Sequence, residues 1–132
     1  MQGYHANIEE ITLQNTNFRQ VLYTGKHSQL VVMSIKQGEE IGNEVHTLDQ
    51  FFRVEKGKAK VVLNNGETVF EVQEDFVFII PAETWHNVIN IGEEDLKVYT
   101  IYSPPEHKDK TIHATKADAE AHEEHFDGVT TE

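Results

Sequence analysis

A chain of 132 residues, 38% of them hydrophobic, has the length and apolar content for one compact domain with its own core. It holds no cysteine, which excludes disulfides and thiolate metal sites, and its formal net charge of -12 repels phosphate backbones, which argues against nucleic-acid partners. No stretch approaches the roughly 20 apolar residues of a membrane helix, and the opening MQGYHANIEE has no basic start followed by an apolar run, so no membrane partner and a cytoplasmic location are expected.

In chain order, the first strand candidate is Gln20 to Tyr23, followed by Gln29 to Lys36 (QLVVMSIK), rich in β-branched residues. Phe51 to Val54, Ala59 to Leu63, Thr68 to Val72 and Phe76 to Ile80 come next at short intervals, then Asn87 to Ile91 and Leu96 to Tyr102. Asn64-Asn65-Gly66 is a hairpin signal, since Asn and Gly tolerate the positive φ that such turns require, and Asn90-Ile91-Gly92 reads as a second turn. Many short strands at regular spacing predict an all-β sandwich or barrel. After Ser103-Pro104-Pro105 the chain becomes charged and poor in large apolar residues. One helix is expected there, from about Lys116 to His125, with Thr115 and Asp118 as a capping-box variant and an apolar stripe too thin for a core helix. The whole chain, 1–132, is read as one domain, with a barrel core at about 18–103 and a tail or helix at about 104–132.

The chemistry concentrates in two segments. In Glu44-Val45-His46 strand parity puts Glu44 and His46 on one face, and even spacing keeps Gln50 there if no bulge intervenes. In Trp85-His86-Asn87-Val88, His86 shares a face with an apolar neighbour. Inside a barrel these four polar groups need partners, because an unpaired buried polar group costs several kcal/mol. A divalent cation would satisfy all four: a carboxylate from Glu44, imidazoles from His46 and His86, a carbonyl from Gln50. Two His and a carboxylate with open positions is the facial pattern of non-heme iron, and manganese, nickel or zinc accept the same donors. A water-satisfied polar network is the competing account.

The surrounding residues carry a resemblance to the cupin superfamily. Its first motif, G-x5-H-x-H-x3,4-E-x6-G, matches the spacing of Gly38, Glu44, His46, Gln50 and Gly57; its second, G-x5-P-x-G-x2-H-x3-N, matches Asp75, Pro81, Glu83, His86 and Asn90. The resemblance spans about Gln29 to Tyr102. Asp75 and Glu83 stand where the motif has turn glycines, Glu44 where it has its first His, and Gln50 where it has Glu, so the carboxylate has moved from the third ligand position to the first. The resemblance implies a single-domain jelly-roll (double-stranded β-helix) barrel holding one divalent metal ion (Fe, Mn, Ni or Zn), and a homodimer paired through Gln20 to Lys36 or an edge strand. Phe52, Phe78 and Val88 are assigned to cavity lining or core, and Trp85 to the barrel mouth or the surface. His122 and His125 could share a metal but suit a solvated face; His107 and His113 read as tail residues, and Glu9-Glu10, Glu39-Glu40 and Glu93-Glu94-Asp95 as solvated loops.

Two functions follow from this reading, while the short chain and single barrel argue against a seed-storage or structural role. One is a metal-dependent enzyme acting on a small organic molecule, of oxygenase, isomerase or lyase type. The other is a non-catalytic module that binds or senses such a molecule. No Ser-His-Asp arrangement, phosphate-cradling loop or catalytic cysteine suggests another chemistry.

Overall fold

Short runs rich in β-branched and aromatic residues fold into two facing antiparallel sheets in the computed structural model, which describes residues 1–132. The strands are β1 (Arg19–Thr24), β2 (Gln29–Ile35), β3 (Asp49–Lys56), β4 (Lys58–Leu63), β5 (Thr68–Gln73), β6 (Val77–Ile80), β7 (His86–Asn90), β8 (Leu96–Ser103) and β9 (Ile112–His113). A six-stranded sheet runs β6-β3-β8-β2-β1-β9 and a three-stranded sheet runs β5-β4-β7. This is the expected all-β jelly roll. The inner faces meet in one core that includes Val31, Met33, Phe52, Val61, Phe78, Val88 and Val98, each buried. Removing each large side chain from water contributes about 1.5–3 kcal/mol. Phe52 stacks on Phe78 with ring centroids 4.6 Å apart, so this pair and Val88 fill the core.

Turn chemistry closes the hairpins. Asn64, Asn65 and Gly66 take positive φ between β4 and β5, as their sequence predicts. Asp75 and Glu83, the two glycine replacements, also lie at positive φ (72° and 64°), so the motif's backbone is kept with side chains that adopt it less readily. Gly57 has no such latitude: at φ 100°, a Cβ there would sit 3.1 Å from the Leu96 Cα. Asn90 ties the second turn by donating to the Ile35 and Glu94 carbonyls and accepting from the Gly92 amide.

Four expectations are corrected. A helix, α1 (Ile8–Gln14), precedes the barrel; Glu9 and Glu10 form its first turn instead of a loop. It packs across β2, β3 and β8, with Thr12 fully buried and Asn7 capping it. The tail helix, α2 (Lys116–Ala121), stops four residues short of His125. Its capping box forms as read, and Ala119 is buried. His107 and His113 are not tail residues on the surface: both are buried, because the chain after β8 folds back over the barrel. Lastly, Gln20 to Lys36 offers no open edge, since β2 is paired by β1 and β8, and β1 by β2, β9 and the Thr111 and Thr131 backbone. No helix is long and apolar enough to cross a membrane.

Candidate metal centre

Glu44 and His46 lie in the extended connection between β2 and β3, not in a strand. Parity survives all the same. Residues 44, 46, 48 and 50 turn inward, and 45, 47 and 49 outward. The reason is an isolated bridge in which Glu44 and His86 exchange both backbone hydrogen bonds at 2.9 Å, holding the connection against β7. The His46 carbonyl accepts from the Glu83 amide at 2.7 Å, and Asp49 Oδ1 from the Ala82 amide at 2.9 Å, so the turn around Pro81 clamps the other end.

Three of the four expected donors converge. Ligand atoms of Glu44, His46 and His86 all lie within 4.8 Å of one another. Glu44 Oε1 is 3.3 Å from His46 Nε2 and 3.6 Å from His86 Nε2. Donors bound to one ion at about 2.0–2.2 Å stand roughly 3.0–3.5 Å apart, so this spacing suits a shared cation. The His86 Nδ1 lies 2.8 Å from the Thr84 carbonyl, to which Nδ1–H donates, leaving Nε2 as the lone-pair nitrogen facing Glu44. Gln50 is buried on β3 and donates to the Thr100 hydroxyl, which leaves its Oε1 free. His46 Nε2, His86 Nε2 and Gln50 Oε1 are all buried without a hydrogen-bond partner. Buried acceptors are seldom left so.

Burial pushes the Glu44 carboxyl up, but His46 and His86 beside it prevail and hold it at about 2. For His46 burial opposes protonation, and the neighbouring Glu44 wins and raises its pKa. The group therefore keeps its anion at neutral pH. His122 and His125 join no such group of three donors, and Trp85 stands at the surface, 44% exposed.

Sequence reasoning missed what surrounds these donors. The returning chain places Glu106 Oε1 3.7 Å from His46 Nδ1 and 3.3 Å from His125 Nδ1. Gln29 fixes that chain: its Oε1 accepts from the Glu106 and His107 amides, and its Nε2 donates to the His107 carbonyl and Thr24 hydroxyl. The Tyr102 ring meets His46 edge-on at 5.9 Å, and its hydroxyl lies 3.2 Å from His107 Nε2. A cavity of about 210 Å³ opens beside Glu44 and His46, walled by Phe18, Arg19, Glu106 and the residues around α2. Phe52, Phe78 and Val88 do not line it.

Residues 31–102 match the cupin domain (Cupin_2) family. This chain belongs to the cupins. The cupin is 46% identical over 124 residues to the uncharacterized protein YrkC of Bacillus subtilis, covering 90% of this chain and 67% of that one. It is 47% identical to BH2720 from Bacillus halodurans, a crystal structure that superimposes with a TM-score of 0.89 over 92% of this chain and 96% of that one. The cupin domain of Cnp3 from Schizosaccharomyces pombe shares the fold alone, at 23% identity and a TM-score of 0.58, with 65% of this chain and 64% of that one covered. A Glu-His-His group that could hold a metal ion, on a cupin barrel, is what sequence and structure jointly establish.

Proposed function

We propose that this cupin forms one domain and holds a single divalent ion (Fe, Mn, Ni or Zn) through Glu44, His46 and His86, with Gln50 as fourth donor, to act on a small organic molecule. One observation carries the proposal: three buried side-chain atoms from two distant stretches of chain, His46 Nε2, Gln50 Oε1 and His86 Nε2, have no hydrogen-bond partner, and the two nitrogens face the Glu44 carboxylate. The competing account is a metal-free network in which protonated imidazoles pair with Glu44, and metal content decides between the two. A bound ion supplies Lewis acidity or a site for dioxygen. The protein's own part is to orient the two imidazoles, through the Thr84 carbonyl and Glu106, and to leave the Glu44 side open to the cavity.

Elemental analysis of untagged protein tests the reading. One equivalent of a transition metal is expected, and it is lost in the Glu44→Ala, His46→Ala double variant while the circular dichroism of the barrel persists. Metal-free wild type that takes up none of the four ions on titration would overturn it. Turnover of a small acid, diketone or sugar above about 1 per second distinguishes an enzyme from a pure binding module. We also propose a homodimer, pairing through an open edge such as β6, where Val77 and Ile79 are 52% and 60% exposed. Light scattering giving the mass of one 15.1 kDa chain would contradict it.

A further inference from the structure

Arg19, the first residue of β1, has a charge that the protein does not pair. Its side chain is buried, with 8% of the residue exposed. It forms no ion pair with any carboxylate, and its Nε has no hydrogen-bond partner. Its polar side-chain neighbours are neutral, His113 Nδ1 at 3.4 Å from Nη1 and the Tyr102 hydroxyl, and its guanidinium lies 5.3 Å from the Phe18 ring centre. A lysine so placed could shed its proton; a guanidinium cannot, so the charge must be met by an anion or carried at a cost. Arg19 lines the same cavity as Glu44 and His46.

We propose that Arg19 binds the carboxylate of a small monoanionic organic acid in this cavity, with the remainder of the acid directed toward Glu44, His46 and His86. Three features select that class. The fork of a guanidinium matches a planar carboxylate with two parallel hydrogen bonds. The cavity wall also carries Glu44, Glu106, Glu120, Glu123 and Glu124, so one unmatched cation amid carboxylates disfavours a dianion such as phosphate. The other cation there, Lys116, already faces Glu120 at 3.9 Å. Size sets the limit: about 210 Å³ exceeds the roughly 150 Å³ that holds benzene elsewhere and excludes large ligands. The inference deepens the proposed function by naming its substrate class, and it rests on that reading only for the direction in which the acid points.

The test is calorimetric titration of manganese-loaded and metal-stripped protein with acetate, lactate, pyruvate, uncharged lactamide and inorganic phosphate. In the wild type at least one of the three carboxylates is expected to saturate, with lactamide at least tenfold weaker than lactate. Arg19→Gln should lose at least tenfold in carboxylate affinity with its metal content unchanged, and Arg19→Lys should fall between. The proposal is overturned if lactamide matches lactate, if phosphate binds more tightly than every carboxylate, if Arg19→Gln binds carboxylates like the wild type, or if no carboxylate binds up to about 10 mM, well above ordinary KM values. Should Arg19→Gln not fold, the lactate–lactamide comparison and Arg19→Lys decide. Arg19-dependent carboxylate binding by a protein that takes up no metal would overturn the metal reading and leave this one standing.

Discussion

At the scale of single residues, the informative contrast is between Glu44 and Gln50. The chain keeps one carboxylate in its donor set but supplies it from the connection before β3, while the strand position holds a neutral amide. Gln50 Nε2 is committed to the Thr100 hydroxyl, which itself donates to the Phe51 carbonyl, so only Oε1 faces inward unpaired. Gln50→Glu would replace a weak carbonyl donor with an anion. We expect metal affinity to rise at least tenfold in competition with a chelator, at a loss of apo stability of about 1–3 kcal/mol because the buried Thr100 partner is lost and two carboxylates then face one site. Equal affinity in the two proteins would show that Gln50 Oε1 does not reach the ion. The meeting of Glu44, His46 and His86 is legible from motif spacing, because extended-chain parity fixes which side chains share a face. Arg19, Tyr102, Glu106 and His107 are not, since nothing in local spacing tells where a returning chain will lie.

Among the elements, β1 to β8 are legible to within two residues because β-branched and aromatic runs mark them, whereas the two-residue β9 has no such run. Helix α1 escapes the sequence reading although its half-buried Ile8 and Ile11, buried Thr12 and buried C-cap Asn15 follow helical spacing; the run is seven residues long and rich in β-branched side chains, which blurs the pattern. The connection after β8 has the polar composition of a tail, yet it is anchored through Gln29, whose four hydrogen bonds no sequence pattern announces. Gln29→Leu would leave two buried amides and a carbonyl without partners. Urea unfolding should show a loss of about 2–4 kcal/mol. Metal affinity should fall as well, because Glu106 would no longer be held near His46. A variant with full stability would mean that the returning chain is fixed elsewhere.

For the molecule as a whole, acid sensitivity follows from burying titratable groups. Burial, reinforced by the Arg19 charge, holds His107 down to about 3. The unfolded chain takes up a proton there near pH 6.5 and the folded chain does not, so stability is lost as pH falls from about 6.5, by up to about 1.4 kcal/mol per unit. Glu44, depressed to about 2, adds to the loss below about 4.5. The raised His46 acts in a different window: its contribution is complete below about 6.5 and fades as pH climbs through its folded value. Metal-free His107→Gln should therefore show a flatter stability curve between pH 6.5 and 4.5 than the wild type in urea titrations. Parallel curves would place the acid sensitivity in other groups.

The wall of glutamates around the cavity bears on how quickly the centre fills. On a chain of net charge -12, Glu106, Glu120, Glu123 and Glu124 gather around the cavity that opens beside Glu44. Their field would draw dications in from dilute solution and guide them to the mouth, an attraction that dissolved ions weaken once the Debye length shrinks toward about 8 Å. Stopped-flow loading with manganese should consequently slow severalfold between low and physiological ionic strength, with departure of the ion barely altered, so that capture, more than retention, responds to the surrounding salt.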